Sequence, residues 1–327
     1  TLTLSSTAHL DVRATGVGER GGRVELYTAT ADAGVAAVGD VNTAPGSLID
    51  LRGGMGGLGG SLAVRAPQVG AGSEVAVTVL DGTVQGAAAR TVEGFRVYLD
   101  NDIDAADLAT YNADAGTFMA NAPTIESRLG AGWQLIPGVE VRSTASDAAL
   151  AQSDLELNAI ADLSTWRWND LPGVLTLRAA GDLRINDILS DGFAGTADLA
   201  LSSANGTSLR CAGAGSCGVR PTALPSLLRG PSWSYRLVAG ADLDSASILA
   251  LTGTADRQRN GAAMGSVTLA PGTPSDRNPR TGPTTIPVLR PILNAVRTGT
   301  GSIEIAAGQD ITLANRASVI YTAGEDS

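Results

Sequence analysis

The chain has 327 residues, 43% of them hydrophobic but only 4% aromatic, with a formal net charge of −10. Every one of its 23 basic residues is an arginine and none forms a run, so an acidic surface without a basic patch argues against nucleic-acid binding. No apolar stretch approaches the roughly 20 residues of a membrane-crossing helix, and a supply of Gly, Ala, Val and Thr in place of Phe and Tyr suits a narrow interior.

In chain order, the first eighty residues read as short period-two strands: Leu2 and Leu4, Val24 and Leu26, Leu48 to Leu51, Leu62 and Val64, then Val75, Val77 and Val79. Glycine pairs at Gly21–Gly22, Gly53–Gly54, Gly56–Gly57 and Gly59–Gly60 mark the turns between them. Their spacing predicts coils of about 20 residues, each rising by one inter-strand distance of about 4.8 Å. Over 101–130 the spacing turns helical through Ile103, Leu108, Tyr111, Phe118 and Met119, which predicts an excursion with one or two short helices stopped at Pro123. Strands resume at Val139 and Val141. Two more excursions follow, 204–232 with the cysteine pair and 271–294 rich in Pro and Arg; neither can pack a coil, so both are expected as surface loops.

One pattern occurs four times, as TLTLSSTAHLDV from Thr1, LTLRAAGDLRI from Leu175, YRLVAGADLDS from Tyr235 and IEIAAGQDITL from Ile303. Each copy pairs two short strands across a corner of small residues, and recurrence over such a length is the mark of a solenoid. The third copy lapses at Ser245, where an apolar residue is due. The expected fold is therefore all-β, a single solenoid domain over 1–327 interrupted at 101–130, 204–232 and 271–294. The opening on Thr1 within a strand pattern predicts a processed chain or a section of something longer. Bare first and last coils predict either further coils of the same kind or end-to-end stacking.

Several residues invite chemistry. His9, the only histidine, takes the slot of Asp182, Asp242 and Asp310, and all four are expected to serve corner backbone N–H groups. Asp100, Asp102 and Asp104 stand at positions one, three and five of a calcium-type loop, yet Ala105 and Tyr111 replace its glycine and its glutamate. The run, with Asp107 beyond it, is therefore expected to cap the following helix, and calcium is the alternative. Asp154, Asp162, Asp182 and Arg184 could line one face of neighbouring coils, as a polysaccharide-active site requires, or form an ordinary solvated face. Trp166-Arg167-Trp168 is the densest aromatic spot, with Trp133 and Trp233 elsewhere; exposed, it suits sugar stacking, and buried, it is packing. Cys211 and Cys217 are expected to close a local disulfide in an oxidising compartment; no His or third Cys lies near to complete a zinc site. Asn205-Gly206-Thr207 reads as a turn more simply than as a glycosylation site.

The segments PGVEVRS (137–143), PGVLTLRAAGDLRINDILSDGF (172–193), SWSYRLVAGADL (232–243) and RTGTGSIEIAAGQDITLANRASVIYTAG (297–324) resemble filamentous haemagglutinin-type large exoproteins, and SLAVRAP and FRVYLDNDID are similar to weaker segments of them. The resemblance spans most of the chain from about residue 60. It implies a right-handed parallel β-helix shaft, export by a dedicated outer-membrane partner transporter, and a secreted or cell-surface place. The roles it implies are adhesion to a host or neighbouring cell or its glycans, aggregation, biofilm formation or contact-dependent competition. It brings no catalytic residue and no cofactor, so the chain is expected not to be an enzyme. The family's amino-terminal secretion motif, NPNG-like or NPXG-like, does not occur here, which implies an internal or carboxy-proximal section.

Overall fold

The structure is a computed structural model that describes residues 1–29, 39–144, 154–194, 226–255, 265–270, 294–314 and 318–324. Almost all regular structure in it is parallel β-sheet, with two α-helices. The residues divide into two compact units, Thr1–Tyr98 with Tyr111–Glu140 and Asp244–Ala250, and Leu99–Thr110 with Val141–Leu243 and Leu251–Ser327.

In the first unit, β1 (Leu2–Leu4), β2 (His9–Asp11) and β3 (Arg23–Tyr27) are followed by β4 (Val41–Thr43), β5 (Leu48–Asp50) and β6 (Ser61–Val69). After the short hairpin strand β7 (Glu74–Val75), antiparallel to β6, come β8 (Val77–Leu80), β9 (Thr83–Gln85) and β10 (Ala89–Leu99). Like pairs with like, in parallel: β1 with β4 and β4 with β8, β2 with β5 and β5 with β9, β3 with β6 and β6 with β10. The chain thus visits three sheets in rotation. Leu26, Val64 and Val92 stack as one buried row because the register holds the same face inward on each pass.

Next come β11 (Asp102–Ile103), α1 (Ala105–Met119), α2 (Ala122–Leu129) and β12 (Gln134–Arg142), with β12 beside β10. The helices fall within the expected excursion, but Pro123 does not stop one. It lies in the first turn of α2, where its missing N–H would have had no helical partner and its fixed φ suits the helix. Phe118 of α1 is fully buried against Gly94 of β10; a Cβ at Gly94 would sit 2.2 Å from the Phe118 ring, so the strand needs glycine there.

The second unit repeats the rotation with β13 (Leu155–Leu157), β14 (Ala161–Asp162), β15 (Val174–Ala179), β16 (Leu183–Ile185), β17 (Leu189–Ser190), β18 (Ser234–Ala239), β19 (Val267–Leu269), β20 (Asn294–Thr298), β21 (Ile303–Ala307), β22 (Ile311–Leu313) and β23 (Ser318–Thr322). Its sheets run β11–β13–β16–β19–β22, β14–β17–β20–β23 and β15–β18–β21. The equivalent corner positions Asp154 and Asp182 are 28 residues apart, and Arg20 reaches Gly59 across 39, so a coil is longer than the expected 20. Three strands and three turns need that length, and the glycine-rich turns lengthen it further in the first unit.

The lapse at Ser245 has a structural counterpart. Leu243–Ser245 forms no strand; the rung between Leu183–Ile185 and Ile311–Leu313 is filled by Val267–Leu269. Ser245 cannot fill the apolar slot at the third position, and Val267-Thr268-Leu269 supplies the alternation in its place. The loops expected at 204–232 and 271–294 lie largely outside the described residues.

Asp50 gives the first unit a titratable rivet. It is buried, paired in register with Asp11 and Gln85, and its carboxylate accepts two bonds from the Arg52 guanidinium, at 2.8 and 2.6 Å. The Arg52 hydrogen bond holds the carboxyl down from 3.8 to about 2, against the opposing effect of burial. The native state therefore binds fewer protons than the unfolded chain in that interval, so this stabilisation is present above pH 3.8 and is lost as pH falls towards 2. In urea unfolding, Asp50→Asn is expected to be less stable than wild type at pH 5, with the difference shrinking towards pH 2. Gly94→Ala is expected to cost about 1–3 kcal/mol in the same assay through overpacking against Phe118.

Candidate functional sites

Three constellations cover most of the chemistry expected from the residues. The first is a polar ladder on the outer side of the β11–β13–β16–β19–β22 sheet, where Asp102, Glu156, Arg184, Thr268 and Thr312 stand in register on successive strands. Alternate residues of these strands face the core, so the middle residue of each triplet faces outward. Arg184 lies 3.2 Å from Glu156, 3.7 Å from Asp182 and 3.8 Å from Asp154. Asn186 donates to Asn158 at 2.7 Å, and Asn158 donates to Asp102 at 2.7 Å. The structure thus gathers Asp154, Asp182 and Arg184 and leaves Asp162 on another sheet, in β14. Glu156, Asn158 and Asn186 are members that spacing had not revealed; the signal lay in LELN and LRIN, the same triplet with an appended asparagine, 28 residues apart.

Of the corner aspartates, Asp182 serves a backbone N–H group, as does Asp154, and in both cases it is that of the next pass of the chain. Asp154 accepts from the Asp182 N–H and Asp182 from the Ser266 N–H, both at 2.8 Å. His9 differs from them. It begins β2, pairs with Leu48 of β5 and is exposed.

The second constellation is built on Trp166-Arg167-Trp168. Asn169 and Asp170, both at positive φ, turn the chain so that Trp168 bridges Leu171. Trp166 is buried, and Trp168 half-buried; both meet the fully buried Trp233 edge-on, with centroids 5.8 and 6.3 Å away. The Trp233 indole N–H donates to the Trp166 carbonyl at 2.9 Å. Arg167 donates to both oxygens of the fully buried Asp191, at 2.8 and 2.7 Å, and to the carbonyls of Leu163 and Trp166. Asp191 also accepts the Gly192 and Trp233 backbone N–H groups. With these donors its carboxylate is saturated, and the motif fastens three chain segments together. Beneath it the buried Tyr235 hydroxyl finds no hydrogen-bond partner; burial, then the negative charge of Asp191, pushes its pKa up, so it stays neutral.

The third is the acidic run before α1. Asp104 accepts from the Ala106 and Asp107 N–H groups at 2.6 and 3.1 Å, and Asp107 accepts from the Asp104 N–H at 2.9 Å, a reciprocal cap. Those backbone bonds hold the Asp104 carboxyl below the ordinary range, while burial raises that of Asp107. Asp100 accepts from the Asp102 N–H and Asp102 from Asn158. The three carboxylates whose spacing also fits a calcium loop are directed to different donors, and among the described residues no cluster of three or more His, Cys, Asp or Glu side chains is arranged for a metal. Cys211 and Cys217, like Asn205-Gly206-Thr207, lie outside the described residues.

A buried ionic cluster in the first unit escaped sequence reading altogether. Arg65 of β6 bonds Glu93 of β10 at 2.8 Å and Glu140 of β12, with its guanidinium 3.6 Å over the Phe95 ring. All three charges are nearly fully buried. Alternation marks Arg65 and Glu93 as outward-facing, which by itself implies solvent and not burial.

Comparison with protein-family models, with curated proteins and with solved structures yields no match to this chain. None of its helices in the described residues is long and apolar enough to cross a membrane. The site chemistry therefore has to be weighed on its own geometry.

Removing one side of the Arg167–Asp191 pair strands a buried charge. Arg167→Leu or Asp191→Asn is expected to cost about 3–5 kcal/mol in denaturant unfolding, with a large coupling term in the double-mutant cycle. Additive effects near zero would contradict the fastening role. For the cap, Asp104→Ala is expected to lower the thermal midpoint more than Asp104→Asn, which keeps an acceptor.

Proposed function

We propose that this chain is a section of a right-handed parallel β-helix that works as the rigid shaft of a secreted, cell-surface adhesive protein, similar in kind to filamentous haemagglutinin-type exoproteins. The observation that carries this reading is the rotation of the chain through three parallel sheets, pass after pass, with the same residues in register. Such a body is stiff and repetitive, suited to holding binding loops and outward-facing rungs at fixed spacing. On this reading its partners are an outer-membrane transporter during export and a host or neighbouring-cell surface or glycan afterwards. Binding, not catalysis, is its task. The carboxylates near Arg184 fit that role, since they are engaged by the guanidinium and by backbone N–H groups. Beads coated with the purified chain are expected to be retained on epithelial or bacterial cells severalfold above albumin-coated beads. Equal retention, or turnover of a polysaccharide panel by the chain, would overturn the adhesive reading.

A second reading, self-assembly by coil stacking, draws on one rung. Ile311 and Leu313 are 52% and 48% exposed although they continue the buried rows of Val267 and Leu269. A further coil would cover them, and a second copy is one source of such a coil. Sedimentation across a wide concentration range should then show growth that Ile311→Asp with Leu313→Asp abolishes; a strictly monomeric wild type would rule stacking out.

A further inference from the structure

The three most exposed large hydrophobic side chains among the described residues are Val17, Met55 and Leu58, at 77%, 77% and 69%. Val17 is far in sequence from Met55 and Leu58, yet all three share one edge of the first unit, because the turn from β2 to β3 stacks on the turn from β5 to β6. Gly18 N–H donates to the Met55 carbonyl and Gly21 N–H to the Leu58 carbonyl, both at 3.0 Å, while Gly54 N–H returns a bond to the Glu19 carbonyl at 3.0 Å. Glycine makes this contact possible: a Cβ at Gly54 would lie 1.7 Å from the Gly16 carbonyl oxygen, and one at Gly57 1.9 Å from that of Glu19. Two turns pressed this closely hold their apolar side chains outward. A Cβ added at Gly18 or Gly56 would meet nothing within 4 Å, so the tips project into open space.

Charge at this edge is balanced and layered. Arg13, Arg20 and Arg52 stand against Asp11, Glu19 and Asp50. Asp50 is buried, whereas the guanidinium groups of Arg13 and Arg52 are half-exposed. Glu19 is turned back onto the Gly16 N–H, at 2.9 Å. Guanidiniums and carboxylates are thus equal in number among these residues, with Arg13 and Arg52 half-exposed in their ion pairs, and named turn N–H donors are already bonded within the stack. Contact with an apolar phase strands few of them.

From this arrangement we infer that the stacked glycine turns are a lipid-contacting edge that seats on a zwitterionic bilayer, with Val17, Met55 and Leu58 entering the interface and Arg13 and Arg52 meeting lipid phosphate. A projecting, unpocketed set of tips fits a deformable surface better than a preformed protein groove. The charge balance selects the lipid: a locally neutral edge complements phosphocholine, whereas the net charge of −10 on the chain opposes an anionic surface. This edge is separate from the adhesive reading and stands or falls without it.

Co-flotation with phosphatidylcholine vesicles tests it. The wild-type chain is expected to float with the vesicles, less so when phosphatidylglycerol is added, and the variant Val17→Ser, Met55→Ser, Leu58→Ser to lose at least tenfold in bound fraction. Because these side chains project into solvent, the variant should keep its circular dichroism and thermal midpoint, so the loss reads on binding and not on folding. Wild type left unbound, or a triple variant that floats equally, overturns the inference. So does flotation that needs anionic lipid and vanishes in roughly 0.5 M salt, which would be an electrostatic contact. A dimer that the triple variant dissociates, with no wild-type flotation, assigns the edge to a second copy and overturns it as well.

Discussion

Everything in this molecule depends on the in-register parallel pairing of one pass of chain with the next. Parallel strands exchange evenly spaced backbone bonds only when each residue meets the same partner all along the strand, and a slip by one would turn every buried side chain to the other face. Leu183 over Leu155 and under Val267, with Ile185 over Leu157 and under Leu269, is the core of the second unit stated as a register. The corners reinforce it. Asp154 and Asp182 each reach to the backbone N–H of the following coil, so a carboxylate sets the height of the next rung where no strand bond is available.

That constraint explains where the polar residues sit. On the sheet of β11, β13, β16, β19 and β22, the outward row can hold charges and asparagines because its members solvate one another across rungs and water does the rest. Elsewhere charges are buried and must be neutralised, as Arg65 of β6 is by Glu93 and Glu140, and Asp191, just after β17, by Arg167. Buried ion pairs of this sort contribute little net stability against an apolar replacement, yet breaking one is costly. They act as locks on arrangement: the first ties three neighbouring strands at one level, and the second fastens the Trp166-Arg167-Trp168 segment to Asp191 and through it to Trp233.

How much of this was legible beforehand follows from which physical signal each element carries. Strands such as Val174–Ala179 and Ile303–Ala307 show strict alternation and a repeated corner, and they lie where the pattern places them. The helices over 105–119 and 122–129 were readable from spacing, but Pro123 was misassigned, because a proline opens a helix as readily as it ends one and only the preceding Ala120-Asn121 turn decides between them. Coil length was underestimated since glycine-rich turns carry no periodicity to count. The lock at Arg65 was hidden for a deeper reason: a charged residue at an outward strand position looks the same in sequence whether solvent or protein lies above it. The carboxylates of 100–104 show the converse. Their spacing fits a metal loop and a helix cap alike, and the backbone N–H groups of Ala106 and Asp107 are what claim Asp104.

The same register also says where a protein of in-register parallel strands has freedom to acquire a partner. A residue inside a rung touches the rungs above and below, so its replacement is felt twice; Tyr235 between Leu175 and Ile303 is such a residue. Turns are freer, because only their ends are held by the strands. Where turns are pressed together by glycine, as at Gly54 and Gly57, that freedom is given up: backbone meets backbone too closely for a side chain at either position. Close stacking of that kind fixes the direction of the residues between the glycines. Val17, Met55 and Leu58 are thereby presented at fixed positions, with their side chains left largely exposed by the described residues. An apolar side chain on a loose turn can fold back towards the body of the protein; one on a turn locked by its neighbour cannot, which is why rigidity and exposure occur together at this edge.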